Sequence, residues 1–324
     1  MNNILTVFFR ACIRPLQGAT ALLCLLCLPL SSCFTGIEGT KKITLSKEDR
    51  KAIRPSDEEI FFSDVAGEPL SNWSKGREFV AADNKTALIF DQQGLPLDPE
   101  SIKLGGKILS YEGISPRIAA DGSRNAVIAF SNGQDVFFYN TGKTLSDAPQ
   151  AIMSDQIPMI IDTHMIQKAK DLIIGKTLWT RSPLWYDESG ERIKGRKYVP
   201  VVIKDVTAGT LAFPLKVMFE DASGNRAWMF MNFGNSGNES RSFSNLFSLS
   251  DIQKKYPSID QEVWNLICNG EIRIGMTKDE CRLSLGIPTE VSSGHDYSQT
   301  LDLWHYTDGK VLWFEDGTLS KFRR

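Results

Sequence analysis

Histidine is scarce in this chain, with three residues in 324, and His164, His295 and His305 share no metal-ligand spacing with one another or with the cysteines. A zinc site is therefore not expected, and neither is any other metal or cofactor. An excess of either charge is also lacking. The 37 Lys and Arg face 39 Asp and Glu, a net charge of -2, so no electrostatic footprint for nucleic acid exists. Long apolar runs are missing too: the best, residues 19–30, is about a dozen residues, too short to span a bilayer. Gly105-Gly106-Lys107 lacks the spacing of a phosphate loop. Gly234-Asn235-Ser236-Gly237 lies in a Ser/Asn/Gly stretch with no assignable base, and the acidic pairs Asp187-Glu188 and Glu220-Asp221 fall at turn signals. No catalytic residue is named, and the chain is expected not to be an enzyme. Its apolar content of 42% is that of a globular protein.

What is present begins with a leader. Arg10 and Arg14 precede the apolar run, which ends in Ser31, Ser32 and Cys33, the positive, apolar, small-residue order of an export signal. Leu30-Ser31-Ser32-Cys33 resembles the lipobox of bacterial lipoproteins, which implies cleavage before Cys33 and acylation of its thiol. A plain secretory signal with Cys33 merely nearby is the alternative. Several acyl chains, at roughly 0.8 kcal/mol per buried methylene, would hold the chain at a membrane without a spanning helix. Removal of residues 1–32 takes two arginines and leaves 35 basic and 39 acidic side chains, a net charge of -4. Phe34 rather than Asp follows the cysteine, which resembles lipoproteins sent on to the outer membrane, and no acidic run follows. A lipid-anchored, periplasm-facing outer-membrane location is expected.

With Cys33 acylated, the folded part keeps only Cys268 and Cys281. An exported chain lets them pair. They flank a turn at 269–277, and the alternatives are a disulfide or two small buried apolar side chains.

Residues 33–75 are polar, carry Lys41, Lys42 and Lys47, and show no lasting period, so they read as a tether, with Ser56 and Glu59 spaced as a capping box. A β-rich module follows at 76–147, with strands expected at 78–81, 87–90, 107–111, 126–131 and 135–139. Asn132-Gly133 marks a hairpin between the last two. A linker and short helix at 148–171 lead to a second β-rich module at 172–233. Its expected strands are 177–180, 197–204, 215–220 and 226–232. Asp121 to Ala126 leading into Phe130 echoes Asp221 to Ala227 leading into Phe230, which suggests a duplication. The phrase Gly175-Lys176-Thr177-Leu178-Trp179 resembles bacterial SH3-like modules. Residues 234–249 read as a flexible linker. The aromatics Trp179, Trp185 and Tyr186 are candidates for contact with a glycan or protein, with core packing as the competing explanation.

In the last segment, 250–324, Thr277 with Glu280 forms a capping box, and Gly286 with Pro288 stops the helix. Asp308-Gly309 and Asp316-Gly317 place hairpin turns between strands expected at 301–306, 310–315 and 318–323. The order Gly275-Met276-Thr277, Leu285-Gly286-Ile287-Pro288, Trp304-His305-Tyr306 and Phe314 to Leu319 resembles the SmpA/OmlA or BamE-like domain of outer-membrane assembly lipoproteins. That resemblance implies two helices followed by a three-stranded antiparallel sheet, and a habit of binding partners. Such lipoproteins hold this module close to the lipidated cysteine, whereas here about 240 residues intervene.

The sequence thus predicts an α+β protein: two small β-rich barrel or SH3-like modules, then a small α+β domain. The expected role is a non-enzymatic envelope scaffold that contacts the membrane through its lipid and docks an envelope protein. The alternative is a lipoprotein that binds peptidoglycan or another glycan.

Overall fold

Two short runs with the same order, Gly76-Arg77-Glu78-Phe79 and Gly175-Lys176-Thr177-Leu178, each open a sheet. The structure, a computed structural model, describes residues 55–118, 122, 124–233, 239–296 and 299–323. Helix α1 (Asp57–Phe62) starts on a complete capping box: Ser56 Oγ accepts from Glu59 N–H, and Glu59 Oε2 accepts from Ser56 N–H at 2.7 Å. Strands β1 (Glu78–Ala81), β2 (Phe90–Gln92), β3 (Leu95–Pro96), β4 (Ile108–Ile118), β5 (Arg124–Ser131) and β6 (Val136–Asn140) follow. Then come helix α2 (Ala148–Ala151) and β7 (Ile160–Asp162). These seven strands form one antiparallel sheet in the order β3-β2-β6-β5-β4-β1-β7.

Helix α3 (Thr163–Ile173) starts directly after β7, with Asp162 capping it by accepting from His164 N–H at 3.0 Å. A second series follows: β8 (Thr177–Thr180), β9 (Leu184–Tyr186), β10 (Arg192–Lys194), β11 (Pro200–Ala208), β12 (Leu215–Asp221), β13 (Arg226–Met231), helix α4 (Phe243–Leu246) and β14 (Phe247–Ser248). Its sheet order, β10-β9-β13-β12-β11-β8-β14, repeats the first strand for strand.

The repeat extends to single residues. Phe79 pairs with Leu109 in the first sheet as Leu178 pairs with Val201 in the second. The long central hairpin skips one residue between Tyr111 and Gly113 in the first copy and between Ile203 and Asp205 in the second. Gly76 N–H donates to Tyr111 O at 2.7 Å, and Gly175 N–H donates to Ile203 O at 2.9 Å. Both glycines sit at positive φ, 86° and 74°, where a side chain would strain the turn.

Three apolar cores result. The first sheet closes over Leu70, Trp73, Phe79, Phe130 and Phe137. The second sheet covers α3 through Met165, Ile166, Ala169 and Ile173. It also takes Phe62 of α1, which stacks on Phe243 of α4 at 4.8 Å. Helix α1 precedes the first sheet in sequence but packs in the core of the second. The third core lies between helices α5 (Gln261–Cys268) and α6 (Lys278–Leu285) and a sheet in the order β15-β16-β17-β18. Its strands are β15 (Glu290–Asp296), β16 (Gln299–His305), β17 (Val311–Glu315) and β18 (Thr318–Arg323).

These observations correct the expected α+β class. The described chain is mostly β, with 18 strands in three antiparallel sheets, and its longest helix has 11 residues. Neither β-rich module is a closed barrel, since β3 and β7, like β10 and β14, are unpaired edges of open sheets. The last sheet has four strands rather than three, because β15 pairs along the whole of β16. The error came from strands of two or three residues, such as β3, β7 and β14, which are too short to show a two-residue period. Residues 56–75, taken as tether, bury Phe62, Val65, Leu70 and Trp73. Within 234–249, Phe243, Leu246 and Phe247 are fully enclosed. The echo around Phe130 and Phe230 joins β5 to β13, whereas the topology matches β5 with β12. Its alignment is one strand out of step.

Candidate functional site

A cleft of about 920 Å³ opens where the second sheet meets the C-terminal helices. One wall is the segment from Arg181 to Leu184 together with β10, and the other is formed by the C-terminal ends of α5 and α6, at Gly270 and Gly286. Arg181, Arg192, Lys194 and Lys197 line it, and among the described residues none of the lining is acidic. It adjoins a recess of about 290 Å³ through the shared Lys194, Gly270 and Leu285, where Lys310 and Glu271 are added.

Lys197 of the lining and its neighbour Tyr198 join the two walls. Lys197 is buried, and its Nζ donates to Ser284 O at 2.5 Å at the end of α6, where helix carbonyls lack internal partners. Burial away from water lowers its pKa to about 8. Tyr198 Oη donates to Leu283 O at 3.1 Å, and its ring meets Trp264 edge-on at 6.0 Å. The backbone N–H of Lys197 donates to Cys268 O at 2.8 Å. Lys197 and Tyr198 therefore fasten the second sheet to both helices.

The cationic side chains differ in their partners. Arg181 Nη2 reaches buried Glu58 Oε1 at 3.4 Å, while its Nε is buried without a partner among the described residues. Glu58 also accepts from Ser248 Oγ at 3.1 Å and Leu249 N–H at 3.3 Å. Burial would raise its pKa, but these bonds and the Arg181 charge outweigh it and hold the carboxyl below its usual range. Lys194 meets exposed Glu271 at 3.1 Å, and Arg192 has no ion pair among the described residues. The cleft can thus hold a ligand by charge and by hydrogen bonds.

A second charged group lies between the two sheets' elements. Arg77, just before β1, donates to Glu68 Oε2 at 2.7 Å and, through Nη2 and Nε, to Asp162 at 2.5 and 3.3 Å. Lys168 Nζ donates to Glu68 Oε1 at 2.6 Å. Because Asp162 caps α3, this cluster ties the first sheet to the helix that fills the second, and its role is structural.

The sequence-predicted residues are distributed differently. Cys33 and the leader lie outside the described residues, and among the described residues no helix is long and apolar enough to cross a membrane. Cys268 and Cys281 are free thiols in this structure, both buried in the third core. Burial raises the pKa of both, that of Cys281 to about 12. Trp185 is a core residue: Phe219 meets it edge-on at 5.0 Å, and its Nε1 donates to Ser182 O. Tyr186 stacks on Trp228 at 4.4 Å, and Lys216 lies 4.2 Å from the centre of that indole. Trp179 is half-buried in β8, where it pairs with Pro200 and Ser248. The three aromatics form no shared platform. Sequence alone does not unite the cleft cations, although the Arg192-Ile193-Lys194 run carries a visible charge.

No family model, curated protein or solved structure matches the chain.

Proposed function

We propose that this chain is an outer-membrane lipoprotein, tied to the bilayer by acylated Cys33 and facing the periplasm, whose folded body docks an envelope protein without turnover. The seam cleft is the observation that carries this reading, because its described lining is cationic, with exposed Arg192 free of any ion pair among the described residues and β10 an edge strand of its sheet. The ordered leader ending in Leu30-Ser31-Ser32-Cys33 supports the anchor. The likeness of residues 274–319 to BamE-like modules supports partner binding. A glycan-binding role has less support, since Trp185 is enclosed and Tyr186 stacks on Trp228, which leaves half-buried Trp179 apart from both.

Chemical crosslinking in intact cells, followed by purification of the chain and mass spectrometry, tests the proposal. A defined envelope protein should be recovered with wild type and lost with Cys33→Ala. Recovery of no envelope protein would refute it.

A further inference from the structure

Strand β10 is an edge of the second sheet, and all three of its residues are exposed. Asp187 N–H donates to Glu191 O at 3.0 Å, and Gly195 N–H donates to Pro183 O at 2.9 Å. Rungs of an antiparallel pair alternate, so Glu191, Ile193 and Gly195 turn their backbone groups toward β9. The N–H and C=O groups of Arg192 and Lys194 consequently point away from the sheet. Their side chains share one face of the strand, two residues apart.

We propose that the seam cleft docks an acidic peptide segment in extended conformation, added beside β10 as a further strand, with carboxylates at alternate positions against Arg192 and Lys194. Charge complementarity selects the occupant: the described lining is cationic in a chain whose net charge is -2, Arg192 has no ion pair among the described residues, and Lys194 has only exposed Glu271, which a peptide carboxylate can replace. An open edge offers donors and acceptors in alternation along several residues, which a strand satisfies and a single phosphate, too small to span them, does not. Short cationic edges also guard sheets against self-association. That role does not account for the buried Nε of Arg181, which has no partner among the described residues, or for the 920 Å³ cleft that β10 lines.

The inference rests on the docking function proposed above and is tested apart from it. A fluorescent synthetic peptide alternating Glu with Val is titrated against the purified folded chain by anisotropy, with an alternating Lys-Val peptide and inorganic phosphate as comparisons. The acidic peptide should bind saturably and weaken with added salt. It should lose about tenfold in affinity in R192E/K194E and less in R192Q/K194Q. Both pairs of substitutions are at exposed positions and should leave the unfolding midpoint unchanged. Absence of saturable binding, equal affinity of R192E/K194E, or displacement by inorganic phosphate would overturn the inference. If in-cell crosslinks to an envelope protein persist in R192E/K194E, this inference fails while the docking function stands. If wild type gives none, the docking function itself fails.

Discussion

Gly106 and Tyr198 occupy the same position in the two sheets. Both residues adopt positive φ, 75° and 55°, and each donates its backbone N–H to the last residue of the neighbouring strand, Gly106 to Ala81 O and Tyr198 to Thr180 O. Glycine takes that conformation freely, whereas a tyrosine there costs roughly 1–2 kcal/mol. The second copy keeps the costlier residue because its ring reaches Trp264 and its hydroxyl reaches the end of α6. The first copy has no such helices to hold.

Replacing Tyr198 should therefore separate two effects. Tyr198→Phe should cost about 1 kcal/mol through the lost bond to Leu283 O. Tyr198→Gly should relieve the backbone but loosen the third core, so that the C-terminal unit melts ahead of the two large sheets. Differential scanning calorimetry with a tryptophan-fluorescence readout would show the split transition.

Trp185 and Gly195 test whether that indole is core or binding surface. A Cβ on Gly195 would lie 2.3 Å from the Trp185 ring, so Gly195→Ala should destabilise by about 1–3 kcal/mol. Trp185→Ala should cost about 3–5 kcal/mol. Urea unfolding measures both, and an unchanged midpoint for Trp185→Ala would restore the residue as a surface aromatic.

Glu68 should make the fold acid-sensitive. Burial raises its pKa, but hydrogen bonds from Lys168 and Arg77 and their charges outweigh that and bring it to about 2. A depressed carboxyl stabilises the fold above its unfolded value of 4.5, and that stabilisation is lost as pH falls toward 2. The stability difference between wild type and Glu68→Gln should be full at neutral pH and should shrink across that window in unfolding titrations.

The thiols should be silent in the native state. With Cys281 raised to about 12 by burial and Cys268 raised as well, a chromogenic disulfide reagent at mildly alkaline pH should react with neither. Both should titrate once the chain is denatured. Failure to find them after denaturation without reductant would restore the disulfide.

Much of the local structure was legible before any coordinates. The capping boxes at Ser56 and Thr277 form as their spacing predicts, because they depend on residues three apart. The Asn132-Gly133 turn joins β5 to β6, with Gly133 at φ 89°. What could not be read depends on pairing distant in sequence. Strands of two or three residues carry no period of their own and exist because a longer neighbour supplies their partners, as β8 does for β14. The burial of α1, unlike its capping box, could not be read for the same reason: Phe62 becomes core only by meeting Phe243, with Phe61 packed against it. The repeat escaped correct alignment because it is carried by register and by turn geometry, as at Gly106 and Tyr198, where the residues themselves differ. The cleft combines Arg181, Arg192 and Lys197 only once β9 and β10 fold back beside the C-terminal helices.

The anchor is the claim on which the proposed role depends. Intact-mass and fragment-ion analysis of the protein extracted from its native membranes should find a chain that begins at Cys33 and carries acyl groups on that residue. A chain that retains residues 1–32 with an unmodified thiol at Cys33 would contradict the account.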